Sequence, residues 1–435
     1  MPPRRTPLRI AAVQFAFPGN RAAIPLRDPD TGAFSGDTPE WDWAGARQVA
    51  AFVGGSSPRV RVTFRRAPGA TGSTGIWRIG APAGDGLAIR ERQVRLVFDR
   101  DGLSQPVDFR IAAPIPRGIG AFRAHFDWHA TDGERSWRLG TTRHHFCHVH
   151  AQPLATTSWA TTAERGTGPH GNAALPWVYR PIMLWTCAWA RGRRSPRTIC
   201  DAIMAGLPRS GLTYAVGAWD VGAMLAAGGG YCGGFYRMFQ AMAAAQGVRV
   251  ERRALHVDWR VEHHGVMRWC AMVVSAPGLG RRYPAELPSV FHDSNRGPHA
   301  RQPVQRFEVR RYRFWGHPEQ IADGHCLNFL RHNGRWYLYD ASFGHRAVVL
   351  RNFRLPRPSS THAVPVERQG NFQSAYLDRA VGHMLGSLRH AGTLYRTERP
   401  DPDHPQFNSA TTRNGLSVKT AIIPGRWANI TFYWT

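Results

Sequence analysis

The stretch GHCLNFLRHNGRWYLYDASFG (Gly324–Gly344) carries Asn333-Gly334 between two runs rich in apolar and aromatic residues. That dipeptide marks a two-residue hairpin, because both central positions of a type I′ turn need positive φ, which Asn and Gly tolerate. With the turn placed there, His332 faces Arg335 and, further along the ladder, Asp340 lies opposite Leu327. His325 then sits on the diagonal, on the same face as Asp340, at roughly 7–8 Å between Cα atoms and closer between side chains. An imidazole and a carboxylate so placed can meet. Phe329, Trp336 and Leu338 share that face and read as an apolar surface on which a helix can pack.

A helix of the right kind lies upstream in GGGYCGGFYRMFQAMAAAQG (Gly228–Gly247). Phe235, Met238, Phe239 and Met242 recur at i, i+3, i+4 and i+7, and Gly247 supplies the stop. Cys232 falls at the mouth of this helix, where unpaired N–H groups and the positive end of the dipole lower a thiol's pKa. The same N–H groups can stabilise an oxyanion when sulfur attacks a carbonyl. Gly228, Gly229, Gly230, Gly233 and Gly234 read as room for a substrate backbone. A catalytic thiol also needs a base and a group that orients the base, and the hairpin holds one residue of each type. The plain readings stay open beside this one: Cys232 as a small core residue, His325 as a surface strand histidine, Asp340 as a cap on the turn that follows it.

The order Cys232, His325, Asp340 resembles that of the transglutaminase-like superfamily of cysteine enzymes. The likeness is carried by Tyr214 in GLTYAVGAWD, by the glycine-rich block around Cys232, and by His325, Trp336 and Asp340 of the hairpin. It covers roughly residues 195–345. Where many members have an aromatic residue after the histidine, this chain has Cys326. The resemblance implies a papain-like α+β domain in which Cys232 is the nucleophile, His325 the base and Asp340 the group fixing the imidazole tautomer. It also implies an oxyanion hole made by the Cys232 N–H and an upstream donor, for which Tyr214 and Trp219 are the candidates. The reaction would pass through a thioester, giving proteolysis or deamidation with water and cross-linking or amide synthesis with an amine. Arylamine acetyltransferases also use Cys–His–Asp, but their Arg-Gly-Gly lead and following glutamate are absent from GGGYCGG.

A chain of 435 residues, 43% apolar and 20% charged, has material for two or three domains and is neither disordered nor fibrous. No apolar run approaches the ~20 residues of a membrane span. Leu8–Phe17 reads as a strand rather than a signal peptide, so the expected location is cytoplasmic. The six cysteines, at 147, 187, 200, 232, 270 and 326, form no CxxC pair and suit a reducing compartment. The net charge of +26 is almost all arginine, Lys419 being the only lysine. Its dense patches, Ala190–Arg197 and Arg310–Phe314, read first as solvated faces and second as a surface for an anionic partner; nucleic acid is not favoured. A non-catalytic basic binding or structural protein is therefore the rival reading.

Residues 1–151 read as a β-rich, immunoglobulin-like sandwich. Arg59–Arg66 and Val94–Phe98 alternate, as does the set Phe122, Ala124, Phe126 and Trp128. Residues 152–176 read as a linker, and 177–435 as the catalytic domain with a C-terminal extension. Ser195-Pro196 starts one helix and Asp220 caps another. Strands are expected at Val248–Val257, Val266–Val274 and Phe307–Trp315. In HHFCHVH (His144–His150), His144, His148 and His150 share a strand face. Zinc is the sharper reading, but with no partner cluster an exposed polar face explains the pattern equally well, and no cofactor is expected.

Overall fold

The computed structural model describes residues 6–68, 74–82, 87–155, 164, 166–214, 218–230, 232–257, 261–263, 266–275, 319–322, 324–355, 369–390, 393–394, 407–411, 417–424 and 432–434. Helices and sheets are mixed and strands dominate. The expected strand Phe307–Trp315 and the basic patch Arg310–Phe314 lie outside the described residues. The chain divides into two compact units, Met1–Gly206 with Ala241–Arg249, and Leu207–Gln240 with Val250–Thr435.

In the first unit the strands are β1 (Leu8–Gln14), β2 (Ala23–Ile24), β3 (Leu26–Arg27), β4 (Trp41–Asp42), β5 (Val49–Val53), β6 (Arg59–Arg66) and β7 (Thr74–Ala81). They continue with β8 (Ile89–Val97), β9 (Val107–Arg110), β10 (Gly120–Thr131), β11 (Ser136–Val149) and β12 (Val178–Tyr179), before helices α1 (Arg180–Trp189) and α2 (Pro196–Gly206). One sheet runs β4-β1-β6-β9 and another β2-β5-β11-β10-β7-β8. Each alternates as its sequence requires: Val60, Val62 and Phe64 point into a core shared with Phe52, Phe126, Trp128 and Phe146 from the second sheet, all fully buried. Ser195 caps α2 as expected, its hydroxyl accepting the Thr198 N–H at 3.3 Å.

The division falls at Gly206, not within 152–176. Val178 and Tyr179 pair with Leu26 and Arg27, the Cys187 thiol donates to the His148 carbonyl at 3.6 Å, and the Gly192 N–H donates to Ile119 O at 2.9 Å. These bonds and the buried face of α1 tie that helix to the strands before it, and α2 packs on α1, where a Cβ on Gly206 would meet the Trp189 ring. The histidine cluster is also corrected: His144 and His148 are buried, not on a polar face. The His144 ring packs on Phe15 and Phe126, 5.1 and 5.2 Å between centroids, and its Nε2 meets Thr142 Oγ1 at 2.8 Å. His148 Nδ1 meets Gly118 O at 3.1 Å. Each ring is occupied by its own partner. Burial holds the His144 imidazole down at about 3, so it serves as a neutral core aromatic.

Glu40 was not foreseen. It is buried, and its two carboxylate oxygens accept the Phe15 and Ala16 N–H groups at 2.8 and 2.9 Å. Burial pushes its carboxyl up to about 7 against the pull of those bonds. Glu40→Gln would turn an amide donor against one of the two N–H donors, and is expected to cost ~1–3 kcal/mol in a urea melt. Because the folded value is raised, the Glu40 contribution is complete below the unfolded value of ~4.3 and is lost as pH rises through about 7. The Gln variant should remove that part of the pH dependence.

The second unit begins with β13 (Thr213–Tyr214), α3 (Val221–Ala227) and β14 (Gly229–Gly230), and holds most of α4 (Cys232–Ala245). Then come β15 (Glu251–Val257), β16 (Val261–His263), β17 (Val266–Ser275), β18 (Glu319–Ala322), β19 (Gly324–His332), β20 (Arg335–Asp340) and β21 (His345–Leu350). After a π-helical turn at Gln373–Leu377 come α5 (Asp378–Ala380), β22 (Val381–His390), β23 (Thr393–Leu394), β24 (Phe407–Thr411), β25 (Ser417–Pro424) and β26 (Phe432–Trp434). One sheet runs β21-β20-β19-β15-β26; another runs β16-β17-β22-β25-β24, with β18 on β17 and β23 on β22. No helix among the described residues is long and apolar enough to cross a membrane.

Candidate active site

The hairpin forms in the register set by its turn. Asn333 and Gly334 have φ of 48° and 73°, His332 pairs with Arg335, and Asn328 with Tyr339. That register puts His325 and Asp340 on one face. Nε2 of His325 lies 3.0 Å from Oδ2 of Asp340, and both side chains are fully buried. The ring N–H does not point at the oxygen, so this is an ion-pair contact rather than a linear hydrogen bond. Phe343, 5.4 Å away between centroids, supports the ring.

The face that meets the helix is the opposite of the one expected. Phe329 and Leu338 pack into a cluster with Phe353, Phe372, Tyr376 and Leu377, and Trp336 borders it; all four partners follow Asp340 in sequence. The helix instead meets the alternate residues. Asn328 Nδ2 donates to Tyr236 O at 3.0 Å, and Tyr339 stacks on Phe239 at 5.2 Å. The physical reason is that β19 and β20 are buried on both faces, so apolar residues alone do not tell which face takes which partner.

Cys232 opens α4, and Phe235, Met238, Phe239 and Met242 are fully buried along it, as their spacing requires. The thiol touches both His325 and Cys326. Hydrogen bonding from the Cys326 thiol, then the His325 imidazolium and the Cys326 N–H, hold Cys232 well below the usual thiol range despite its burial. Cys326, which gives its proton toward that sulfur, is pushed up. Burial alone would push the His325 imidazole down, but the Asp340 carboxylate and the Cys232 sulfur outweigh it and hold it at about 10. The Asp340 carboxyl is held below its ordinary value: burial works against the charge, and His325, His345 and Tyr376 outweigh it. Sulfur, imidazole and carboxylate thus lie in a buried series whose shifts favour the thiolate beside the imidazolium.

Asp340 also does what its plain reading asks. Its Oδ1 accepts the Ser342 and Phe343 N–H groups at 3.0 and 3.2 Å, capping the turn, while Oδ2 faces His325 and accepts the Tyr376 hydroxyl at 2.8 Å. Tyr376 escaped sequence reasoning because it lies far downstream in a segment without motif. The reading of Gly233 and Gly234 is corrected too. A Cβ on Gly233 would lie 2.2 Å from the Trp219 ring, and one on Gly234 would meet Met224 Sδ at 2.5 Å and Ala218 O at 2.6 Å. Close approach of the protein's own chain, not of a ligand, requires them.

Trp219 thus lies against the first turn of α4, about half exposed, and its carbonyl accepts Arg237 Nη1 at 2.9 Å. Tyr214 pairs through its backbone with Gly230, two residues before Cys232; its side chain lies outside the described residues. Asp220 precedes α3 as expected, but its carboxylate faces Arg237 at 3.5 Å instead of capping the helix. Among the described residues no group of three His, Cys, Asp or Glu side chains is arranged to hold a metal ion. Neither a family model nor a curated protein matches the chain.

An ordinary thiol of pKa ~8.5 loses alkylation rate tenfold for each pH unit of acidification below that value. Cys232 is expected to lose far less of its iodoacetamide rate than an ordinary thiol on acidification below that value, giving a flattened profile, since its thiolate persists while His325 is protonated. The stability linkage has a matching shape. His325 is raised, so its contribution is complete below the unfolded value of ~6.5 and is lost as pH climbs through about 10. Asp340 is lowered, so its contribution is present above the unfolded value of ~3.9 and is lost as pH falls through its folded value. Urea melts across pH should give the greatest stability from these two groups between those limits.

Proposed function

We propose that the protein is a thiol enzyme acting on amide bonds through an acyl-enzyme on Cys232. The observation that carries this reading is the buried series of sulfur, imidazole and carboxylate at the start of a helix, with the carboxylate anchored by four contacts. In the proposed reaction the Cys232 thiolate attacks the amide carbon and the oxyanion forms beside the Cys232 N–H. His325 gives its proton to the leaving amine. Asp340 keeps the imidazolium stable and turned toward the sulfur. Water or an amine then opens the thioester, with His325 as base. Trp219, packed on Gly233, is the better placed candidate for a second oxyanion donor, and Tyr214 the other.

More particularly, we read the second unit as a transglutaminase-like, papain-like catalytic fold. Support comes from a nucleophile helix laid against an antiparallel sheet whose neighbouring strands carry the histidine and the aspartate. The first unit, with two sheets around one core, is read as an immunoglobulin-like module. Protein or peptide is the proposed substrate class.

The test is mass spectrometry of the intact chain after incubation with glutamine-containing peptides and peptide amides, with and without a fluorescent primary amine. An acyl adduct mapping to Cys232, discharged by the amine, is expected; no adduct and no amine incorporation would sink the reading. The rival, a basic binding protein, draws on the exposed Arg191, Arg193 and Arg194. It predicts salt-sensitive retention on a polyanion together with an ordinary alkylation profile at Cys232.

A further inference from the structure

Cys326 forms no covalent bond in the proposed amide chemistry, where it only steadies the Cys232 thiolate, yet its thiol lies against the Cys232 sulfur. The placement follows from the backbone. Asn328 and Cys326 are two residues apart on the same face of β19, and Tyr236 and Cys232 are one turn apart on α4. Two strand residues advance ~6.6 Å and one helical turn ~5.4 Å. With Asn328 bonded to Tyr236 O at 3.0 Å, those similar strides carry Cys326 to Cys232. Both cysteines are unbridged, and each keeps 7% of its surface exposed. The cationic groups beside them are His325, Arg237 and Arg252, the last opposite Asn328 on β15 with its guanidinium 5.1 Å from the Tyr236 ring.

We propose that Cys232 and Cys326 form an oxidative modification site, in which a hydroperoxide converts the pair to a reversible disulfide that blocks the Cys232 sulfur. The Cys232 thiolate attacks the peroxide, so that an S–O bond forms, the O–O bond breaks, and the leaving alkoxide takes a proton from His325. The Cys326 sulfur then attacks the Cys232 sulfenic acid. The S–S bond forms, the S–O bond breaks, and hydroxide leaves with the Cys326 proton as water. The two sulfurs together lose two electrons and the hydroperoxide gains two. A dithiol reductant returns both thiols by exchange. Cys326 thereby keeps Cys232 from the irreversible sulfinic and sulfonic states.

The first unit contains an internal control. The Cys187 thiol is in hydrogen-bond contact with Cys147, and both are fully buried. That contact and burial push Cys187 up, away from the thiolate that peroxide chemistry needs.

The test treats the full chain with a small molar excess of hydrogen peroxide, blocks remaining thiols with iodoacetamide under denaturing conditions, and maps peptides without reduction. The expected product is a Cys232–Cys326 cross-linked peptide, lost on adding dithiothreitol, with Cys147 and Cys187 still alkylated. In Cys326→Ser and Cys326→Ala the cross-link should vanish, dimedone should trap sulfenic acid on Cys232, and sulfinic acid should accumulate there. Wild-type chain that goes to Cys232 sulfinic acid with Cys326 still alkylated overturns the proposal, as does equal cross-linking of Cys147 to Cys187. The inference rests on the proposed site only for its thiolate. A disulfide without any acyl adduct sustains it and removes the amide reading; an acyl adduct with Cys326 still alkylated after peroxide does the reverse.

Discussion

Cys232→Ala is expected to abolish acyl-adduct formation and amine incorporation while leaving the urea midpoint of the chain within about 1 kcal/mol of wild type. The loss in turnover should be on the order of a millionfold, the scale on which a covalent nucleophile counts when it acts as a unit with its base. The cost stays well below that of losing the Asp340 carboxylate, because the buried His325 ring keeps its Asp340 counter-charge when the sulfur is gone. The substitution also removes the anion that helps hold His325 protonated, so the imidazole should titrate lower than about 10 in the variant. NMR of the His325 ring can read this directly. An unchanged His325 titration alongside an unchanged rate would mean that sulfur and ring do not act together, and the proposed chemistry would fall.

The hairpin was legible because a two-residue turn leaves no freedom in register. Asn333 and Gly334 decide that Asn328 meets Tyr339, and the face shared by His325 and Asp340 follows. The α4 face was legible for a similar reason: four large apolar residues at helical spacing have one way to be buried together. What could not be read was which surface meets which. β19 and β20 carry apolar residues on both faces, so Phe329 and Leu338 fit a helix or a downstream cluster equally well by composition. Tyr376 and Trp219 reach the site through contacts distant in sequence that no local period announces. The glycines around Cys232 look the same in sequence whether they clear space for a ligand or for Trp219 and Met224. His144 and His148 misled because alternation tells a strand's two faces apart, not which of them is covered.

Asp340 concentrates more of the site than any other residue, and its removal separates the structural from the chemical part of its role. Asp340→Ala leaves the His325 ring buried without a counter-charge, the Tyr376 hydroxyl without its acceptor, and the Ser342 and Phe343 N–H groups without their cap. Removing one partner of a buried ion pair costs ~3–5 kcal/mol, so this variant should show the largest loss of stability at the site, and Asp340→Asn takes its place where it fails to fold. In Asp340→Asn the amide oxygen can still cap the turn while the NH₂ group faces His325 and Tyr376. The fold is then largely kept but the negative charge is gone. Without it, burial of His325 prevails and the imidazole falls toward and below its ordinary value. The Cys232 thiolate loses its partner, and the flattened alkylation profile should become that of an ordinary buried thiol, rising tenfold per pH unit through neutrality. Tyr376→Phe, which removes one bond and no charge, should keep the flattened profile at a stability cost of ~1 kcal/mol. If Asp340→Asn alkylates with an unaltered profile, the carboxylate is a turn cap alone, and the link from Asp340 through His325 to Cys232 is broken.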